Sequence, residues 1–172
     1  MRRLISTLAG ALLAAATVAA SAGVASAGTT AVHTPSNCGG GNFYHVTKNG
    51  VTYYLGTPNN LSAGAAALLK PSQNSTTSWT VCPVPHSQEV VIENRGLALT
   101  SRSSSPGADV TLESPGNGGN GFASQQWFGN AAGPMITFQN AKTGLFLRVR
   151  NSGPSMGQTL TTGSSFTVWF MF

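Results

Sequence analysis

Few side chains in this 172-residue chain are suited to acid–base, metal or nucleophilic chemistry. The sequence holds three histidines, two cysteines and four acids, which are Glu89, Glu93, Asp109 and Glu113. Paired acids for glycoside hydrolysis, or a carboxylate cage for a cation, need more carboxylates than these spacings bring together. No H-E-x-x-H or P-loop motif occurs. We therefore predict a protein that is not an enzyme and that uses no cofactor and no metal.

The N-terminus has the pattern of an export signal. Arg2 and Arg3 precede an apolar run over 4–24, and Ala25-Ser26-Ala27 is a small-residue cleavage pattern. We interpret residues 1–27 as a signal peptide that is removed before Gly28. An N-terminal membrane anchor is the alternative, because the run is long enough to span a bilayer. The expected product is secreted and extracellular, with no membrane contact after cleavage.

Export also decides how the two cysteines are interpreted. In an oxidising compartment Cys38 and Cys82 are expected to form a disulfide rather than a metal site or a nucleophile. The bond would tie an N-terminal arm, residues 28–41, to the rest of the chain.

Composition favours one folded domain with no nucleic-acid partner. Only 8% of residues are charged and mean hydropathy is +0.04, which suits neither a highly charged disordered chain nor a multi-pass membrane protein. Arg148 and Arg150 alternate along a predicted strand and should share one face. A solubilising face is the favoured interpretation, and an acidic polysaccharide site is the alternative. The net charge of +5 comes with no domain-wide basic stripe.

Three tryptophans mark internal repeats. Trp79, Trp127 and Trp169 each close a unit in which a turn leads into an apolar strand, followed by a glycine and a second short apolar segment. Each unit holds about four short strands, and none can bury its apolar face alone. The predicted repeats are about 42–85, 86–131 and 132–172, in a closed threefold all-β assembly. The three tryptophans are predicted to form its core.

Two segments carry a family resemblance. Gln125-Gln126-Trp127 and the stretch 136–149, together with Trp169, resemble the Q-x-W and N-x-x-T-G-x-x-L-x-V elements of ricin-type β-trefoil lectins. The resemblance covers residues 42–172. It implies an all-β β-trefoil and a non-catalytic carbohydrate-binding function, with an extracellular polysaccharide or glycan as partner.

The resemblance also implies one shallow sugar pocket in each repeat. The family's acid position falls on Gly56, Thr100 and Arg148, and its aromatic position falls on Lys70, Glu113 and Gly163. The middle repeat keeps the most polar candidates, which are Thr100, Thr111, Glu113, Ser124 and Gln125. For Gln125 a structural amide is the favoured interpretation, and for Glu113 a solvated surface carboxylate is; contact with a sugar is the other interpretation of each.

The sequence also allows a second functional class, a protein that binds other proteins through its loops. A β-trefoil presents long loops on a rigid scaffold, so the chain is alternatively a secreted protein-binding or protease-inhibitor-like protein with degenerate sugar pockets. The Gly/Asn-rich loop from Glu113 to Gln125 is where such a protein partner would bind, and its glycines predict a flexible loop. A structural or envelope-associated protein whose sugar sites have decayed is a third possibility.

Overall fold

The computed structural model describes residues 37–150 and 157–172. The predicted signal peptide, 1–27, and the arm up to residue 36 lie outside the described residues. Within these residues the chain forms thirteen strands and one 3-10 turn, Asn117–Gly119, and the expected all-β class is confirmed. None of the described segments is a helix of the length and apolarity needed to cross a membrane.

The strands follow the predicted repeat order. Their bounds are β1 (Gly39–Asn42), β2 (Tyr44–Lys48), β3 (Val51–Gly56), β4 (Leu68–Lys70), β5 (Trp79–Pro83), β6 (Glu89–Asn94), β7 (Leu97–Thr100), β8 (Thr111–Glu113), β9 (Gln126–Ala132), β10 (Met135–Asn140), β11 (Phe146–Arg148), β12 (Thr161–Gly163) and β13 (Trp169–Met171). Two-residue turns with positive φ at both positions, Asn49-Gly50 and Arg95-Gly96, join β2 to β3 and β6 to β7.

Six ladders form a closed ring of strands. β1 and β2 are separated only by Phe43 and act as one strand of the ring. β1 pairs with β5, β5 with β6, β6 with β9, β9 with β10, β10 with β13, and β13 with β2. Closure leaves the barrel without an unpaired edge. Strand β1 thus occupies the end of the segment that we expected to be the N-terminal arm.

The other strands form three hairpins, one in each repeat, joined around a pseudo-threefold axis. Three backbone hydrogen bonds run in a cycle: Ala67 N donates to Val110 O (2.9 Å), Val110 N to Leu160 O (3.0 Å), and Leu160 N to Ala67 O (2.9 Å). Each of these residues is fully buried. The cycle ties the hairpin of each repeat to those of the other two.

The tryptophans form the core, as predicted. All three are fully buried in one apolar cluster. Trp79 Nε1 donates to Leu55 O and Trp127 Nε1 to Leu99 O, both at 2.9 Å. Trp169 Nε1 has no partner among the described residues, so the third repeat departs from the pattern.

The predicted disulfide is present. Cys38 is bonded to Cys82, which lies on β5 beside the ladder that closes the ring. Cys82 packs with Val91 and Ala98 in a second, smaller apolar cluster.

Candidate functional site

A shallow depression of about 400 Å³ lies on the second repeat and contains four of the five predicted sugar-site residues. Its lining residues come from β7 and the segment after it, β8, the loop between β8 and β9, and the neighbouring first repeat; they are Ala63, Thr100, Arg102, Glu113, Ser114, Phe122, Ser124 and Gln125. The fifth predicted residue, Thr111, lies behind Glu113 and hydrogen-bonds to it. We call this depression the second-repeat site.

The hairpin of β7 and β8 positions the polar group. Thr100 lies opposite Thr111 and Ala98 opposite Glu113 in the ladder. Paired residues share a face, and so do residues two apart on one strand, so Thr100, Thr111 and Glu113 lie on the same face of the hairpin.

Glu113 is held in a fixed orientation. Arg102 Nη2 donates to Glu113 Oε2 at 2.7 Å, and Thr111 Oγ1 donates to Oε1 at 3.0 Å. The Glu113 side chain is 13% exposed and that of Arg102 is 70% exposed. Two of about four acceptor positions on the carboxylate are therefore occupied. The pair offers an acceptor beside a donor, an arrangement that complements two neighbouring hydroxyl groups.

Gln125 holds the loop between β8 and β9 in place. Its side chain is buried, with 2% exposure, and all its hydrogen bonds are to the protein. Oε1 accepts from Gly116 N and Phe122 N at 3.0 Å, while Nε2 donates to Ser114 O at 3.0 Å and Thr100 Oγ1 at 3.4 Å. These bonds use the full capacity of the amide. The contacts support the structural role that the sequence favours for Gln125.

The side-chain hydroxyl of Thr100 is hydrogen-bonded within the described part of the chain, whereas that of Ser124 is not. Thr100 is buried, donates to Ala98 O at 2.9 Å and accepts from Gln125. The carbonyl of Ser124 accepts from Ser101 N at 2.8 Å and from Asn140 Nδ2 at 2.9 Å. The backbone of Ser124 is therefore fixed, while its hydroxyl has no hydrogen bond to another described residue. Ser124 is better suited than Thr100 to contact a ligand.

The sequence comparison with the lectin pattern missed Phe122. Its side chain is 61% exposed at the edge of the site, and its ring lies against Gly116. A Cβ at Gly116 would be 2.2 Å from that ring, so glycine is needed for this packing. The lectin pattern places an aromatic side chain at the position of Glu113, on a strand, whereas here the exposed ring comes from the loop. The available signal was a single aromatic side chain in an otherwise polar, glycine-rich loop.

The first and third repeats lack this combination. Gly56 pairs with Leu68 and Arg148 with Thr161, at the same ladder position as Thr100 and Thr111. In the third repeat a depression of about 340 Å³ is lined by Arg148 and Arg150, and Arg150 is ion-paired to Asp109. Over residues 37–150 and 157–172 no three His, Cys, Asp or Glu side chains are grouped as metal ligands would be.

No protein-family model matches the sequence, and no curated protein matches it. Among solved structures, the designed 3-fold symmetric protein ThreeFoil aligns with a TM-score of 0.65 and 22% identity, over 76% of this chain and 96% of that one. The closed six-strand ring and the three-hairpin cycle match that symmetry. The chain is a β-trefoil.

Two lectin structures share this β-trefoil fold. The Polyporus squamosus lectin, bound to a human-type influenza-binding epitope, aligns with a TM-score of 0.58 and 16% identity over 77% of this chain and 49% of its own. The Abrus precatorius agglutinin aligns with a TM-score of 0.56 and 19% identity over 77% of this chain and 48% of its own. The trefoil thus spans about half the length of either lectin chain.

One buried acid lies outside the site of the trefoil. Glu93, on β6, is 8% exposed, and its Oε1 has no hydrogen-bond partner among the described residues. Burial raises the pKa of Glu93 above its ordinary value of 4.5. The native state therefore binds this proton more tightly than the unfolded state does. The resulting contribution to stability is complete below pH 4.5 and is lost as pH rises through the raised native pKa.

Replacing Glu93 with glutamine should stabilise the trefoil at neutral pH. We expect the free energy of unfolding at pH 7 to rise by about 1 kcal/mol, because the variant buries no charge. Urea unfolding between pH 4 and pH 8 measures this, and the variant's stability should fall less toward neutral pH. Glu89→Gln, on the same strand and less buried, is the matched control and should keep the wild-type profile. If the free energies of unfolding of wild type and Glu93→Gln change in parallel with pH, the raised pKa of Glu93 would be contradicted.

Proposed function

We propose that this protein is a secreted, non-catalytic carbohydrate-binding protein whose principal site is the second-repeat site. The observation that carries the proposal is the pairing of an oriented carboxylate, Glu113, with an exposed aromatic ring, Phe122, in one depression. A sugar ring has hydroxyl groups around its edge and an apolar C–H face. The Glu113–Arg102 pair suits the hydroxyls, and the Phe122 ring suits the apolar face.

The fold and the sequence pattern also support a carbohydrate-binding function. Two of the structures that share the fold are lectins by name, and the Q-x-W segment resembles that of ricin-type lectins. Here the Q-x-W glutamine, Gln125, holds the loop that carries Phe122. The motif therefore supports the site through loop geometry.

A binding role fits the site better than glycoside hydrolysis. Hydrolysis by the usual mechanism needs two carboxyl groups about 5 to 10 Å apart across the scissile bond. Among the described residues that line the depression, Glu113 is the one acid. Its partners are Arg102 and Thr111, and neither supplies a second carboxyl group.

Two substitutions test the site directly. Phe122→Ala and Glu113→Gln should each weaken retention on immobilised polysaccharide about tenfold, the equivalent of about 1.4 kcal/mol. Phe122→Ala removes the apolar platform, and Glu113→Gln removes a charged acceptor. Glu113→Gln should leave Tm nearly unchanged, because its ion-pair partner is exposed and such pairs contribute about 0 to 1 kcal/mol. Retention on a panel of polysaccharides, eluted with free sugars and in a salt series, is the measurement.

The third repeat offers a matched control for Phe122. Phe166 is 60% exposed and lies outside the second-repeat site. Phe166→Ala should therefore retain wild-type binding. Equal losses for the two variants would show that the second-repeat site is not the principal one. Wild-type protein that no glycan retains would overturn the proposal.

One observation favours protein binding as a second candidate function. The loop between β8 and β9 is held at both ends: Gln125 bonds to Gly116 and Phe122, and Gln126 Nε2 donates to Asn120 O at 3.0 Å. This loop is more constrained than its glycine content predicts, and a constrained loop loses less entropy on binding a partner. Inhibition of a protease panel by wild-type protein, lost in Phe122→Ala, would support this candidate in the absence of glycan retention.

A further inference from the structure

A second depression adjoins the second-repeat site. It has a volume of about 630 Å³ and is lined by the loop after β3 together with Arg95 and Leu97 of the second repeat. Ala63 and Ser114 line both depressions, so the two adjoin. We call the surface that the two depressions form together, from Phe122 past Ala63 to Asn60, the inter-repeat groove.

We propose that the inter-repeat groove binds a neutral oligosaccharide chain of several units, which crosses from the second repeat onto the first. The inference rests on the proposed function and specifies its ligand as an extended chain rather than a single terminal sugar. Each depression alone has the volume typical of a small-ligand site, about 300 to 1,000 Å³. A monosaccharide in the second-repeat site leaves the adjoining depression unused.

Arg95 fixes one wall of the groove. Its Nη1 donates to Asn59 O at 2.9 Å, and its Nη2 donates to Thr57 Oγ1 at 2.8 Å and to Pro58 O. Its Nε donates to Asn94 Oδ1 at 3.2 Å. Arg95 adopts a φ of 50°, a left-handed conformation that is costly for a residue with a Cβ. The side-chain bonds to the first repeat offset this cost and hold the loop over 57–60 in place.

Backbone hydrogen bonds fix the junction between the two depressions. Gly64 N donates to Leu112 O and Leu112 N donates to Ala65 O, both at 2.8 Å. These bonds hold the residues around Ala63 against β8 and the following Ser114. The wall toward the other end of the groove is the loop held by Gln125. Because both walls are fixed before binding, a chain can be bound without ordering either loop.

Apart from the Glu113–Arg102 pair, the free side-chain polar groups of the groove are neutral. Asn60 and Ser62 are exposed, and their side chains make no hydrogen bond to another described residue. The two cationic side chains are already engaged, Arg95 by the first-repeat loop and Arg102 by Glu113. Amides and hydroxyls paired with the apolar Leu61 suit a neutral chain, whereas a polyanion would need uncommitted cations.

The dependence of affinity on oligosaccharide length tests whether the groove binds an extended chain. Isothermal titration with malto-, cello-, xylo-, galacto- and chito-oligosaccharides of one to six units measures affinity against length. For the series that binds, we expect at least a tenfold gain from one unit to four, then a plateau. Asn60→Ala should lower tetrasaccharide affinity severalfold and leave monosaccharide affinity unchanged. Asn130→Ala, an exposed asparagine on β9 outside the groove, is the matched control.

The possible outcomes separate this inference from the proposed function. Equal affinity for one unit and for four would show that the inter-repeat groove does not bind an extended chain. If Phe122→Ala also abolishes binding, the proposed sugar site is still supported. Binding only to polyanions, and lost at high salt, would overturn the assignment to a neutral chain. Wild-type protein that binds none of the series and none of the polysaccharides would overturn both.

Discussion

Replacing Gln125 with alanine is expected to lower the free energy of unfolding by about 3 kcal/mol and to weaken glycan binding at least tenfold. The substitution leaves two partly buried backbone donors, Gly116 N and Phe122 N, without their acceptor, and it leaves the Ser114 carbonyl without its donor. Phe122 would then no longer be held at the edge of the site. Urea unfolding, titration with the retained oligosaccharide and amide hydrogen exchange over 114–122 measure the three effects.

The combination of effects distinguishes a positioning role for Gln125 from direct contact. A residue that only contacted sugar would lose binding on truncation, with unfolding and hydrogen exchange unchanged. The control is Gln139→Ala, which removes a similar amide-to-backbone bond, from Gln139 Nε2 to Gly144 O, at a more exposed place in the third repeat. That variant should keep wild-type binding and lose about 0.5 to 1 kcal/mol. Weakened binding with normal loop protection in Gln125→Ala would contradict the positioning role.

The sequence predicted the architecture because the repeats constrain the fold more than any single motif does. Trp79, Trp127 and Trp169 recur with the same turn and strand pattern around them, and three such units can bury their apolar faces only together. The ladder partners of Gly56, Thr100 and Arg148 agree with the correspondence drawn from the sequence. Alternation along a strand fixes which side chains share a face. A correspondence between strands of different repeats can therefore be predicted from the sequence.

Loop geometry was the part that the sequence did not predict. Phe122 reaches the site because Gln125 folds a glycine-rich loop back on itself, and Arg95 shapes the groove through contacts with the first repeat. Neither effect has a periodic signature, because each depends on one side chain meeting distant backbone atoms. Strand β1 was missed for a related reason: Gly39–Asn42 has no apolar alternation and is a strand only because β5 pairs with it.

Removing the disulfide should have the largest effect on stability. The bond joins residues 44 positions apart, and closing a loop of that size stabilises the folded state by about 4 kcal/mol in the chain-entropy model. Cys38 directly precedes β1, the strand that closes the ring against β5. Without the bond, β1 is held by a short ladder with few side-chain contacts, since three of its four residues are glycines.

We expect the double variant Cys38→Ala/Cys82→Ala to unfold at a clearly lower urea concentration than wild type, with about 4 kcal/mol less unfolding free energy. Wild-type protein in reducing agent should behave the same way, which separates the loss of the bond from the loss of the sulfur atoms. Hydrogen exchange should increase first in β1, because it loses its covalent tie, while the second-repeat site stays protected. Glycan binding at 25 °C should therefore persist in the folded variant. An unchanged urea midpoint would show that the β1 ladder closes the ring without the disulfide, and early loss of binding would show that the second-repeat site depends on that closure.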